Sequence, residues 1–342
     1  MNPIKTSNFN FLLLAITLLV FLILNLSLGS VSIPPLEILK NIIGIPSDNS
    51  TWTYIITQYR LPKAITAVLV GSGLSACGLL MQTLFRNPMA GPYVLGISSG
   101  ASLGVALLIL GSSILGGKYL ALGNNQIATV IAGILGAMFI LITVMAVSSH
   151  IKNTMALLII GLMFGSFTTA VISILSYFSS AQNLQQYIFW SFGSLGNTGW
   201  SALPVLSGIY LLCLLWAIPN IKSLNALLLG ENYAKSLGLS IPATRNQILI
   251  ITGVLTGVIT AFAGPIAFVG LAVPHITKML LQTSNHKVLF PAVLLIGAIV
   301  MLICDTIAQI PNSAFVLPIN AITSLFGAPV VIWLLMKKRK LS

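Results

Sequence analysis

Residues 60–104 read RLPKAITAVLVGSGLSACGLLMQTLFRNPMAGPYVLGISSGASLG. Two membrane-length apolar runs are pinned at the start by Arg60 and Lys63 and joined by RNPMAGP, a polar turn that carries no acid. A charge at mid-bilayer costs roughly 2.5 to 3.5 kcal/mol on insertion scales, whereas bases at helix ends reach the interface. The stretch therefore reads as a hairpin that belongs in a membrane.

Outward from it the same composition continues. The chain has 342 residues, 57% apolar and 6% charged, against roughly 25% charged in an average soluble domain. A helical span needs about 20 mostly apolar residues. Ten runs qualify: 10–29, 57–82, 93–115, 125–148, 154–177, 201–219, 246–265, 267–282, 289–308 and 320–336. Bare backbone polar groups are excluded from hydrocarbon, and continuous apolar runs rather than alternation select helices over a barrel. The fold class is all-α: a polytopic membrane protein of about ten transmembrane helices, one domain over 1–342.

The first run follows Lys5 but exceeds the roughly 7 to 15 residues of a signal-peptide core and lacks an A-x-A-like cleavage site, so it reads as a retained anchor. Cys77, Cys213 and Cys304 lie singly in apolar runs, without CxxC spacing, as small core residues. The net charge of +12 is spread over loops and is no nucleic-acid footprint. It encodes orientation. With the N-terminus inside, twelve bases fall at cytoplasmic positions, among them Lys5, Arg86, Lys152, Lys222, Lys235, Arg245 and the terminal KKRK, and four fall outside: Lys40, Arg60, Lys63 and Lys118. This positive-inside bias places both termini in the cytoplasm.

Glycines recur at helical spacing, as in Gly96, Gly100 and Gly104 and in Gly161 and Gly165, where they let helix backbones approach in lipid. No GxxxxGK[ST] phosphate loop occurs. Residues 66–78, TAVLVGSGLSACG, align with 252–264, TGVLTGVITAFAG, at five identities in spans of opposite direction, the pattern of an inverted repeat. The long cytoplasmic connection 219–245 holds two short helical patterns, 223–229 and 231–237, each followed by a glycine suited to a helix C-terminus. Its apolar strip, Leu227 to Leu229 with Ala234 and Leu237, is built for docking.

Five segments in order resemble one family, the FecCD/BtuC-like permeases of ATP-driven importers for ferric siderophores, haem and cobalamin. They are the 60–104 hairpin; LQQYIFWSFGSLGNTGW at 184–200; GENYAKSLGL at 230–239; GPIAFVGLAVPHITK at 264–278; and CDTIAQ at 304–309 with LPINAITSLFGAP at 317–329. The resemblance implies a non-catalytic permease subunit without cofactor or metal. Its partners would be two copies of a cytoplasmic ATP-binding subunit, an extracytoplasmic substrate-binding protein and a second permease copy. Arg60 and Lys63 would dock acidic side chains of the binding protein, although Gln309 stands where family members often carry a further base. Residues 220–245 would couple to the ATPase through Asn225, Gly230, Glu231, Ala234, Leu237 and Gly238. The pathway would run between permease copies along the fifth and tenth helices, with Met163, Phe164, Gly165 and Thr168 in its wall.

The alternative is a secondary transporter driven by an ion gradient, which would want acids at mid-membrane. Asp305 and His275 are placed instead near opposite ends of their spans, as helix-end hydrogen-bonding groups. An intramembrane enzyme would need paired acids, a metal set or a nucleophile with a base, and no such constellation is present. Nothing in the sequence selects among siderophore, haem and cobalamin.

Overall fold

Every one of the ten apolar runs contains a helix, and several breaks between helices fall at glycine or proline, as at Gly96, Pro219 and Gly264. The computed structural model describes residues 3–45, 49–112, 125–150, 154–309 and 315–339. Lys118, Lys152 and Lys340 lie outside them. In chain order the helices are α1 (Pro3–Ser27), α2 (Pro35–Ile42), α3 (Ser50–Tyr54), a π-helical segment (Ile55–Arg60), α4 (Leu61–Leu84) and α5 (Ile97–Ile109). Then come α6 (Gln126–His150), α7 (Thr154–Phe178), α8 (Ala181–Ser191), α9 (Leu203–Ala217), α10 (Asn220–Leu228) and α11 (Glu231–Ser236). Last are α12 (Ile241–Ala263), α13 (Val269–Leu281), α14 (His286–Ala308) and α15 (Ile319–Arg339). The described residues form no strand, only an isolated bridge between Gln309 and Val316.

Among the described residues six helices are long and apolar enough to cross a membrane, and α9 with α10 makes a seventh if that pair, bent by 53°, is one span. Pro219 sits at the bend, where its ring cannot continue the preceding helix. Two runs give shorter helices than the sequence suggests. Residues 93–115 begin as a 3₁₀ turn, Pro92–Leu95, and turn at Gly96 with φ +74° before the 13-residue α5. At about 1.5 Å per residue α5 is about 20 Å long, less than the hydrocarbon thickness. Residues 267–282 form only the 13-residue α13, whereas the tenth run is fully helical in the 21-residue α15. Conversely, α3, the π segment and α4 join into one 35-residue rod from Ser50 to Leu84.

The chain divides into two compact units. The first comprises Met1–Ala76, Ser194–Gly208 and Ala267–Ser342; the second comprises Cys77–Gly193 and Ile209–Ile266. In the first, α1 lies along α14, and α13, α14 and α15 pack mutually with Leu271, Ala272 and Val331 buried between them. In the second, α5 is packed among α6, α7 and α12.

Small residues set those distances. A methyl on Gly100 would lie 2.6 Å from the Gly136 carbonyl oxygen, and one on Gly104 would run into that of Ala132. The GxxxG spacing of α5 thus brings it against α6 backbone to backbone. Lipid supplies no hydrophobic drive between helices, so this close dispersion contact holds them. Cys77, Cys213 and Cys304 are all buried and free.

Candidate docking, coupling and pathway surfaces

Arg60 closes the π segment with its side chain only 7% exposed. Its guanidinium donates to the carbonyls of Leu26 at 2.6 Å and Ser27 at 3.0 Å, and to that of Val31. The chain leaving α1 carries carbonyls with no helical partner, and Arg60 collects them. Glycine at position 29 makes room for it, since a methyl there would stand 2.8 Å from Nη2.

Lys63, one turn on, pairs with Asp305 at 3.0 Å. The other Asp305 oxygen accepts from Asn25 at 2.9 Å and Gln309 at 2.7 Å. Asp305, in the last turn of α14, is thus a helix-end hydrogen-bonding group as expected, and is also the centre of a buried cluster joining α1, α4 and α14. Gln309, where the resemblance led us to expect a base, serves as one of its donors. Both cations assigned to docking have partners within the chain. His275 is half-buried on α13, and the described residues contain no group of three or more metal-ligating side chains.

The 219–245 connection folds as expected into two short helices, α10 and α11. Gly230 and Gly238 bound α11 at φ +116° and +81°, conformations that glycine adopts without a Cβ clash. The strip read as a docking face is divided by the fold. Leu227 and Ala234 are buried at 3% and 0% exposure, while Leu229, Tyr233 and Leu237 are 67%, 51% and 62% exposed. Glu231 and Gly238 are exposed, and Asn225 and Gly230 half-buried. Ala234 and Leu227 thus anchor the segment, and Tyr233 joins its outward face.

Arg86, from the RNPMAGP turn, reaches this segment and donates to the Leu227 carbonyl at 3.0 Å. It supplies a cation to the carbonyl end of α10, where the helix dipole favours one. The contact lies in the basic turn of the opening hairpin, and its partner could not be read from spacing.

The proposed pathway residues fall on different sides of α7. Met163 is 59% exposed, on the face shared with Phe167, Ile174 and Phe178. Phe164 and Gly165 sit near Gly96 at the start of α5. Thr168 is fully buried, at the floor of a recess of about 440 Å³. Thr169, Ser173 and Ser176 follow at spacings of four and three along the wall, with Ser99 and Ser102 of α5 opposite and Tyr187 of α8 closing it. Tyr187 hydrogen-bonds Ser102, and burial pushes its phenol up to about 12. Asn183 fixes α8 to the end of α5, donating to the Ile109 carbonyl at 3.1 Å and to Ser112 at 3.0 Å. The spacing of these hydroxyls was visible in the sequence but hidden among residues equally suited to packing.

Comparison with known proteins extends this geometry over the whole chain. The model of the FecCD transport family matches residues 17–337. The vitamin B12 import system permease protein BtuC of Klebsiella pneumoniae is 37% identical over 327 residues, which are 95% of this chain and 93% of that one. The hemin transport system permease protein HmuU of Yersinia pestis is 34% identical, covering 94% and 95%. A solved inward-facing structure of a metal-chelate type ABC transporter superposes with a TM-score of 0.82 at 30% identity, over 95% of this chain and 97% of that one. These matches favour an ABC permease over an ion-gradient carrier. With its ten helical runs in place and its sequence matched nearly end to end, this multi-pass membrane chain belongs to the FecCD transport family.

Proposed function

We propose that the chain carries a metal chelate inward across the cytoplasmic membrane, a ferric siderophore or a relative of the haem and cobalamin class. Two copies would enclose the pathway, each bound by an ATP-hydrolysing subunit at 220–245, with a binding protein delivering the cargo. Both termini would lie in the cytoplasm, as the positive-inside bias favours.

The observation that carries this reading is the outward face of α10 and α11. Leu229, Tyr233 and Leu237 stand in solvent on a segment held from beneath by Leu227, Ala234 and Arg86. Apolar side chains on a rigid mount suit a protein partner. Asn225, Gly230, Glu231 and Gly238 complete the assigned set, the glycines by shaping α11. Rocking of the ATPase pair against this mount would be passed to α9 and α12, giving alternating access.

Leu229→Glu with Leu237→Glu places two charges on that face and leaves the buried anchors intact. The ATPase subunit should then fail to co-purify while the permease still inserts. Undiminished co-purification would remove the face from the coupling interface.

Delivery would occur at the end bearing Arg60 and Lys63. Because Lys63 already holds Asp305, an acidic docking partner would share or displace that carboxylate. Charge attraction there would chiefly raise the association rate.

A further inference from the structure

Another apolar face lies at the end of the molecule that bears Arg60. The short helix α2 reads PLEILKNI, and its residues sort by side in the reverse of a water-facing helix. Leu36, Leu39 and Ile42, with Ile43 just after them, are each between 41% and 74% exposed, while Ile38 is fully buried. The polar residues are engaged within the chain. Glu37 pairs with Lys40 at 2.7 Å, and Asn41 donates to the Thr53 hydroxyl of α3 at 3.0 Å.

This face is fixed relative to the span before it. Arg60 holds the carbonyls of Leu26, Ser27 and Val31, the Ser27 hydroxyl donates to the Ile33 carbonyl at 2.6 Å, and α2 packs on α1. A loose helix could fold its apolar side chains inward, but this one is mounted with them out.

Its depth identifies what meets it. The apolar span of α1 runs 18 residues from Asn10 to Ser27; at about 1.5 Å per residue that is about 27 Å, close to the roughly 30 Å of hydrocarbon. Ser27 therefore stands at the membrane boundary, and α2, clamped beside it, lies at headgroup level. Two exposed tyrosines, Tyr54 and Tyr59, meet edge to face at 5.9 Å, and the Trp200 indole donates to the Thr57 carbonyl at 2.7 Å. Such amphipathic rings are enriched at that level. The exposed apolar side chains of α1, up to Leu24, are followed along the chain by Val31 and Leu36, also exposed.

We propose that α2 is an interfacial helix whose Leu36, Leu39, Ile42 and Ile43 enter the apolar edge of the bilayer, setting the height of Arg60 and Lys63 above the lipid. A helix with one strongly apolar face lies in this plane. Because Lys40 is paired with Glu37, apolar burial rather than attraction to anionic lipid holds it there. A protein arriving from water is the poorer occupant, since the face offers no free charge to steer an encounter.

The test uses the full chain in lipid nanodiscs, open to solutes on both faces. Nitroxide labels are placed on single cysteines at Leu39 and Ile43, at Leu19 of α1 as a hydrocarbon reference, and at Leu229 as an aqueous one. The native cysteines are buried, and the unsubstituted chain carried through the same labelling gives the background. Collisions with oxygen, which concentrates in lipid, are compared with those of a water-soluble nickel chelate. The oxygen-to-nickel ratio at Leu39→Cys and Ile43→Cys should exceed that at Leu229→Cys severalfold, fall below that at Leu19→Cys, and stay the same in zwitterionic and anionic lipid. A ratio equal to that at Leu229→Cys would place α2 in water, and labels shielded from both reagents would place it against protein, a second copy included; either result overturns the proposal. A high ratio found only in anionic lipid would overturn apolar burial as its cause.

Discussion

Asp305 gathers three polar side chains into one buried cluster. It is 2% exposed and receives Lys63, Asn25 and Gln309 together. Removing one member of a buried ion pair strands the other, at about 3 to 5 kcal/mol. Asp305→Ala should therefore cost about 3 kcal/mol, the low end because Lys63 is partly solvated. Thermal unfolding in detergent measures it, and replacing both charges, Lys63→Met with Asp305→Leu, should restore much of the loss. Arg60 belongs to the same end but does different work, gathering backbone carbonyls. Arg60→Glu would test folding before docking, so Lys63→Gln is the cleaner probe of delivery: the binding protein should associate severalfold more slowly at low salt. An unchanged rate would take Lys63 out of the docking face. The sequence identified both cations and the acid, but not their pairing, because spacing along a chain says nothing about which helix ends meet.

At the scale of elements, glycine spacing was the most legible signal. The GxxxG pattern of α5 meets α6 with no room for a side chain, so Gly104→Val should force the pair apart and destabilise by about 1 to 3 kcal/mol. A lowered melting temperature with the spans still inserted is the expected result. Helix interruptions were less legible. The turn at Gly96 lies inside a run whose composition alone reads as continuous membrane helix, whereas the bend at Pro219 falls where the sixth run ends. In the coupling segment the two helices and their glycines were foreseen, but α11 is too short for its sequence to define an inner face, which is why Ala234 was read as a contact. Gly238, at φ +81°, is exposed and shapes the end of α11. Gly238→Val should cost about 1 to 2 kcal/mol locally and uncouple ATP hydrolysis from transport, with hydrolysis and uptake measured on one preparation. Coupling as tight as in the unsubstituted protein would show that the turn does not transmit motion.

For the molecule as a whole, composition left little choice. So few charges over so many apolar residues require helices in a bilayer, and the ordered motifs selected one family among helical membrane proteins. Cargo was not legible, because nothing in the sequence selects among siderophore, haem and cobalamin, and the hydroxyls of α7, α5 and α8 come together only in the fold. The central claim is that this permease moves its cargo on energy from ATP hydrolysed by a separate subunit. Its most direct test is chelate uptake by proteoliposomes of permease, ATPase and binding protein, with ATP at the cytoplasmic face and all ion gradients collapsed by ionophores. The account predicts uptake that requires ATP and the binding protein and is indifferent to the ionophores. Uptake that proceeds without ATP and disappears with the gradient would contradict it.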